Sequence, residues 1–318
     1  MTIVVTGSAG HLGDALIRTL RADGREALGL DLKASRFTDR VGSICDRAFV
    51  AESLRGARAI IHCATLHKPH VASRSNQDFL NANVMGTLVL LESALAASVE
   101  AFVFTSTTSV FGSALTPPAD APAAWIDEAV TPVPKNIYGA TKQAAETLCE
   151  LFARKHRLPT VVLRTSRFFP EADDNEAVSA AYELANVQVN ELLNRRVDLE
   201  DVVSAHLLAL DRASSIGFGR YIVSATTPFT LADAPMLRGD AAAATRRLFA
   251  DCQAIYAARG WRLFGHIDRV YDNRAARTAL GWKPRYDFRH ALDCLAEGRD
   301  FRSPLAIAVG AKGYSGAP

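Results

Sequence analysis

The stretch that decides the fold lies at the very start of the chain: "TIVVTGSAGHLGDAL", residues Thr2 to Leu16. A β-branched run meets a turn, and Gly7, Gly10 and Gly13 recur at every third position before a helical pattern begins. Gly7 is expected to permit the tight turn and Gly10 to let backbone approach a pyrophosphate. Gly13 is expected to let the helix pack closely on the strand. The helix start at His11 and Leu12 then turns unpaired N–H groups and a positive dipole end toward the phosphates. The spacing is G-x-x-G-x-x-G, where G-x-G-x-x-G is the commoner form.

Working outward, the next apolar run, "EALGLD", closes on Asp31, eighteen residues beyond Gly13. A carboxylate at that distance accepts from the ribose hydroxyls of a dinucleotide and repels a 2′-phosphate, which favours NAD over NADP. Lys33 and Arg36 beside it argue the other way. Further runs follow in alternation. "ARAIIHCA", "AFVFTST" and "TVVLRT" read as strands, and Gln77–Ala97 and Ile137–His156 as helices. Strand–helix alternation implies a mostly parallel sheet covered on both faces. The expectation is an α/β fold, a Rossmann-type doubly wound parallel sheet with a smaller C-terminal substrate-binding region. Residues 1–165 would form the dinucleotide-binding part, with 197–225 returning to it, and 166–196 and 226–318 the smaller region. Five prolines between Ser113 and Lys135 mark that connection as a loop. Glu176–Leu193 and Ala241–Arg259 read as helical, and another helix starts behind Asp198 or Asp201. The last residues, from Ser303 on, read as a surface tail or partner contact.

Composition narrows the partners. The chain has 318 residues, 49% hydrophobic and 22% charged, with a net charge of +2. Nothing in that balance calls for nucleic acid or an anionic membrane. No uninterrupted apolar run approaches the ~20 residues of a membrane helix, and no leader is expected ahead of the first strand. Five widely spaced cysteines without a C-x-x-C pair imply reduced thiols in a cytoplasmic setting and no metal site.

The chemistry is carried by two further stretches. "FVFTSTTSVFG" is a strand ending in hydroxyls at the rim where ligands bind on such sheets. "YGATK" opens a helix and sets Tyr138 and Lys142 four apart, on one helical face. A phenol has an ordinary pKa near ~10. A lysine ammonium and a nicotinamide cation would favour its ionised form, so that Tyr138 could take the proton of a secondary alcohol. A surface Tyr/Lys pair on an amphipathic helix is the plain alternative for such a spacing taken alone.

Together, "TGSAGHLG", "GLD", "IIHCAT", "NVMGTLVLLE", "FVFTSTTSVFG", "YGATK", "VVLRTSRFF", "VDLEDVVSAH" and "ALGWKP" resemble the extended short-chain dehydrogenase/reductase family, in its NAD-dependent sugar epimerase/dehydratase branch. The resemblance implies Thr107 as the catalytic hydroxyl, Tyr138 as acid/base and Lys142 as the residue that orients the nicotinamide ribose. It implies Ala64 in the cofactor-contact segment, Asn83 as a brace of the central sheet, and Asp201 as a structural acid. Thr107 and Thr108 would also meet the substrate.

Departures from the family pattern narrow the function. Dehydratases follow the catalytic threonine with Asp-Glu, whereas Thr107 precedes Thr108 and Ser109. Arg167 stands where many epimerases carry a substrate-contacting asparagine; it suits an anionic group, or pairs with Glu171 or Asp173. Where nucleotide-sugar enzymes carry a diphosphate-binding arginine the chain has Asn194, followed by Arg195 and Arg196. The shortened stretch from Tyr138 to Asp201 is similar to that of dehydrogenases of free sugars or sugar acids. The resemblance thus implies an epimerase of a (nucleotide) sugar or a net dehydrogenase. A homodimer formed through Gln77–Ala97 and Ile137–His156 is also implied. A cofactor-binding protein without turnover is the reading from another class. His67 and His70 read as loop residues.

Overall fold

Runs rich in Val, Ile, Phe and Thr form strands because branched and aromatic side chains fit a pleated, covered surface. Each is followed by a segment long enough to carry the chain back for a parallel partner. The computed structural model describes residues 2–171 and 176–313. The sheet half runs β1 (Thr2–Thr6), α1 (His11–Ala22), β2 (Ala27–Asp31), β3 (Arg40–Val41), α2 (Arg47–Ser53), β4 (Ala57–His62), α3 (Asn76–Phe79), α4 (Gly86–Ala96) and β5 (Ala101–Thr107). After it come β6 (Ala124–Ile126), α5 (Ile137–His156), β7 (Thr160–Thr165), α6 (Glu176–Ala181), α7 (Leu184–Glu191), α8 (Leu199–Ile216) and β8 (Phe218–Val223). The remainder is α9 (Ala234–Leu248), α10 (Cys252–Ala257), β9 (Arg269–Tyr271), α11 (Arg274–Leu280), α12 (Phe288–Ala296) and α13 (Pro304–Val309).

The strands of the main sheet lie in the order β3-β2-β1-β4-β5-β7-β8, and every pairing in it is parallel. The order reverses between β1 and β4, which opens a crevice at the carboxyl ends of those strands. One face is covered by α1 and α8, whose Leu12, Leu16, Leu20, Val202 and Ala209 share a core with Val5, Ile61 and Val103. The other face takes α2, α4 and α5 through Val50, Leu90 and Cys149 against Val4, Ile60 and Phe102. A separate core of α7, α9, α10 and α12 gathers Val189, Leu237, Tyr256, Phe288 and Leu292.

Helix ends follow local chemistry. Asn136 caps α5 by accepting from Gly139 N–H at 3.0 Å, and Arg154, Lys155 and His156 close it where cations suit the dipole. Of the two acids ahead of α8, Asp198 is the cap, accepting from Glu200 N–H at 2.8 Å.

Several elements depart from the expectations above. The helix expected over 77–97 contains a π-helical turn, Leu80–Met85, between α3 and α4. The whole of Asn76–Ala96 is long and apolar enough to cross a membrane, although no single apolar run revealed it. Its Phe79, Val89, Leu90, Leu91 and Ala94 are buried in the protein. The 176–193 helix breaks ahead of Leu184 because tertiary contacts hold the break: Tyr182 packs edge-on against Phe264, and Trp261 Nε1 donates to Glu183 at 2.8 Å. The helix expected from Ala241 begins earlier, at Ala234, kinks at Asp240 and restarts there, with Asp240 accepting from Ala243 N–H at 2.8 Å. The proline-rich connection includes β6, which pairs in parallel with β9. Finally, residues 303–313 are no loose tail, while 314–318 lie outside the described residues. Leu305, Ala306 and Val309 pack on the α1/α8 core, as do Ala276, Leu280 and Trp282.

Candidate active site

The glycine turn joins β1 to α1 at the crevice. Gly7 has φ +76°, and a Cβ there would lie 2.7 Å from Ala64 N, so the turn presses directly on the segment after β4. A Cβ on Gly13 would lie 2.0 Å from the Gly7 carbonyl oxygen. Gly10 precedes the first helical residue, and His11 and Leu12 occupy the first turn. Asp31 is tied into the same turn: Oδ2 accepts from Ala9 N–H at 3.0 Å and Oδ1 from Lys33 N–H at 2.9 Å. Two apolar side chains that sequence reasoning missed, Leu32 and Val41, stand 62% and 56% exposed just beyond or at the ends of β2 and β3. Their signal was position alone, Val41 lying opposite Asp31 in the β2–β3 pairing and Leu32 following it.

Thr107 ends β5, its hydroxyl accepts from Ser109 N–H at 3.1 Å, and it lies close enough to the Tyr138 phenol to favour its ionised form. Thr108 opens the buried turn that follows. Lys142 is buried on the same face of α5, with Nζ donating to the Thr105 carbonyl at 2.5 Å and lying 4.0 Å from the Phe104 ring centroid. One electrostatic expectation is corrected here. Burial pushes the Tyr138 phenol up to about 12, against a smaller downward pull from Thr107, and Lys142 makes no contribution to it. Burial likewise brings the Lys142 ammonium down to about 8, while Cys149, Cys63 and Glu146 act in the opposite sense. The protein alone therefore holds the phenol protonated.

The supports of this pair are residues whose role the sequence did not reveal. Glu146, one turn beyond Lys142, accepts from Ser106 Oγ at 2.6 Å and from Arg164 Nη2 at 2.7 Å. This buried cluster ties α5 to β5 and β7. Thr105 Oγ1 lies 2.8 Å from His206 Nε2, and His206 Nδ1 lies 2.8 Å from the Val202 carbonyl, which fixes Nδ1 as the protonated nitrogen. Burial brings His206 down to about 4, so it is neutral.

Asn83 sits in the π-helical turn, and its side chain bonds a loop and a helix where the resemblance implied a brace of the sheet. Its Oδ1 accepts from Leu66 N–H at 2.8 Å and Thr65 Oγ1 at 2.9 Å; its Nδ2 donates to the Leu66 carbonyl at 2.9 Å and Thr141 Oγ1 at 3.0 Å. Thus it joins the segment following Ala64 to the helix carrying Tyr138 and Lys142. A π turn offers this reach, and such turns recur at functional sites. Beside it, Thr87 Oγ1 donates to the Asn83 carbonyl, so His62 Nε2 donates to Thr87 and Nδ1 accepts from Thr6. Thr6 in turn accepts from Ala64 N–H at 3.2 Å.

The arginines gather on Glu191, a fully buried carboxylate that sequence reasoning missed. Arg195 Nη2 and Arg196 Nε each lie 2.7 Å from it, and Arg167 Nε lies 4.0 Å away. Arg167 also donates to the Glu171 backbone carbonyl at 3.1 Å; Asp173 lies outside the described residues. Arg196 is sealed, its Nη1 donating to the Phe169 carbonyl at 2.9 Å, whereas the Arg167 and Arg195 side chains remain 22% and 23% exposed. Phe169 stacks on His67 and packs edge-on against His11, so three loops at the strand ends meet through one ring. His70 Nδ1 accepts from His67 N–H at 3.1 Å, a loop-closing role.

A parallel sheet with a glycine turn at its switch point, an acid closing β2 and a buried Tyr–Lys helix defines a dinucleotide-dependent α/β protein of the short-chain dehydrogenase/reductase type. The model of the "NAD dependent epimerase/dehydratase family" matches residues 3–223, and the chain belongs to that family of enzymes. Its glycine turn and Asp31 fit the family's NAD. The chain is similar to a UDP-glucose 4-epimerase of Rhizobium meliloti (strain 1021), 28% identical over 90% of this chain and 93% of that one. It is similar to a dTDP-glucose 4,6-dehydratase of Streptomyces niveus at 34% identity, over 54% of this chain and 55% of that one. Among solved structures, a short-chain dehydrogenase/reductase superfamily protein of Agrobacterium tumefaciens with bound NAD superposes with TM-score 0.66. It is 24% identical, over 93% of this chain and 96% of that one, and shares the fold.

Proposed function

We propose that this enzyme acts on a secondary alcohol of a sugar or sugar derivative, with Tyr138 as acid/base and epimerisation of a nucleotide-linked sugar as its reaction. The observation that carries the reading is the burial together of Thr107, Tyr138 and Lys142, with the Thr107 hydroxyl acting on the phenol and Lys142 one helical turn further along α5. Thr107, with Thr108 beside it, holds the substrate oxygen, Tyr138, ionised under the positive charge that NAD brings, takes its proton and later returns it, and Lys142 holds the cofactor ribose. Gly7, Gly10, His11, Leu12, Gly13, Asp31 and Ala64 hold the dinucleotide. NAD, when bound, supplies the hydride acceptor. Similarity to a UDP-glucose 4-epimerase over nearly the whole chain supports the nucleotide sugar.

Net dehydrogenation of a free sugar or sugar acid is the second reading, favoured by the partly exposed Arg167 and Arg195 in the wall beyond β7. Leu80, Met85 and Leu151 are 41%, 45% and 39% exposed on the helices beside α5 and on α5 itself, which supports a homodimer across that face. Five free thiols suit a cytoplasmic setting.

Purified enzyme incubated with UDP-glucose should form its C4 epimer without net cofactor reduction. Tyr138→Phe should abolish that turnover while NAD binding stays within about twofold of wild type. Accumulation of reduced cofactor with a free sugar acid, and no epimer from any nucleotide sugar, would replace the first reading by the second.

A further inference from the structure

The C-terminal strap, Ser303–Gly313, touches the start of α1 from the far end of the chain. Its first anchor is Asp198, whose Oδ2 accepts from Ser303 N–H at 3.0 Å. Ser303 then caps α13 by accepting from Ala306 N–H at 3.0 Å, and α13 packs on α1 and α8. Gly310, with φ +63°, turns the chain. Beyond it, Lys312 and Gly313 N–H groups donate to Glu171 Oε1 at 3.2 and 3.1 Å, and the same oxygen lies 3.0 Å from His11 Nε2. The strap thus joins the helix start that faces the phosphates to the segment after β7.

Lys312 also reaches Asp14, with Nζ 2.6 Å from Oδ2. Asp14 lies in the first turn of α1 and is 4% exposed. A carboxylate there suits the helix dipole but opposes a pyrophosphate at the same helix end. Two cations answer it: Arg18, one turn on, pairs with Oδ1, and Lys312 with Oδ2. We infer that the strap is a working part of the dinucleotide site, and that Lys312 sets cofactor affinity by cancelling the charge of Asp14. The inference rests on the NAD-binding reading of the glycine turn.

With Arg18 and Lys312 in place the trio carries a net +1. Lys312→Met lowers it to zero, Asp14→Asn raises it to +2, and the double variant restores +1. Calorimetric titration with NAD should therefore give about tenfold weaker binding for Lys312→Met and weaker still for Lys312→Glu. Lys312→Arg should bind within about twofold of wild type. Asp14→Asn should bind at least as tightly as wild type, and the double variant should return to within about threefold of it. Melting curves of the same proteins report folding, and Glu171→Gln tests the second anchor without changing the trio. Wild-type affinity in both Lys312→Met and Lys312→Glu overturns the inference. So does a double variant as weak as Lys312→Met, which would make the strap a packing element only. Absence of NAD binding by the wild type would instead overturn the cofactor reading itself.

Discussion

Replacing Lys142 with methionine should make the protein more stable and inactive. The ammonium is buried against Phe104 and the Thr105 carbonyl, and burial lowers its pKa from 10.5 to about 8. At 1.36 kcal/mol per pH unit, that fall corresponds to about 3 kcal/mol of folding free energy lost to the charged form. Methionine keeps most of the volume and removes the charge. It leaves the Thr105 carbonyl without its donor, which costs about 1 kcal/mol. A net gain of about 2 kcal/mol remains at pH 7. With an unfolding entropy of about 2.1 cal/mol/K per residue, a chain of this length should melt about 3 °C higher.

The pH dependence fixes the cause. The folded-state pKa lies below the ordinary value, so the unfolded chain binds the proton more tightly between about pH 8 and 10.5. The penalty in the wild type is full below pH 8 and disappears as pH rises toward 10.5. Paired melting curves should therefore show the advantage of Lys142→Met at pH 7 shrinking steadily by pH 10. A variant less stable than wild type at pH 7, with a difference that ignores pH, would refute the reasoning. Turnover should fall at least a hundredfold, since the ammonium proposed to hold the cofactor ribose beside Tyr138 is gone.

Other positions give sharper structural outcomes. Gly13→Ala should abolish NAD binding in a titration, because its Cβ would sit 2.0 Å from the Gly7 carbonyl oxygen and force the turn apart. Glu146→Ala strands the buried Arg164 guanidinium and should lower stability by about 3–5 kcal/mol in urea unfolding. Asn83→Leu removes four hydrogen bonds, three to the segment after β4 and one to α5. It should reduce kcat at least tenfold while the protein still folds, read from steady-state kinetics beside a circular-dichroism melt.

Much of the sheet half was legible because its signals are local. A β-branched run, a glycine at positive φ and a capped amphipathic helix each depend on neighbours a few residues apart, so β1, α1, β5, α5 and β7 could be read from the chain directly. The π-helical turn at Leu80–Met85 was not legible. It exists because Asn83 is drawn to Leu66 and Thr141, partners 17 and 58 residues away. The break before α7 and the short β6 depend in the same way on Trp261, Phe264 and β9.

The amino-acid sequence by itself determined that Gly7, Gly10 and Gly13 lie in one strand-to-helix turn, and that Tyr138 and Lys142 share one helical face. Spacing along a strand or helix is enough to set those relations. Only the tertiary structure decided the electrical state of the pair, since burial raises the phenol and lowers the ammonium, and burial depends on what the rest of the chain packs above them. It also decided that Lys312 meets Asp14 across 298 residues of chain. No periodicity records such a contact, because it is made when the last helix finds its place on the first.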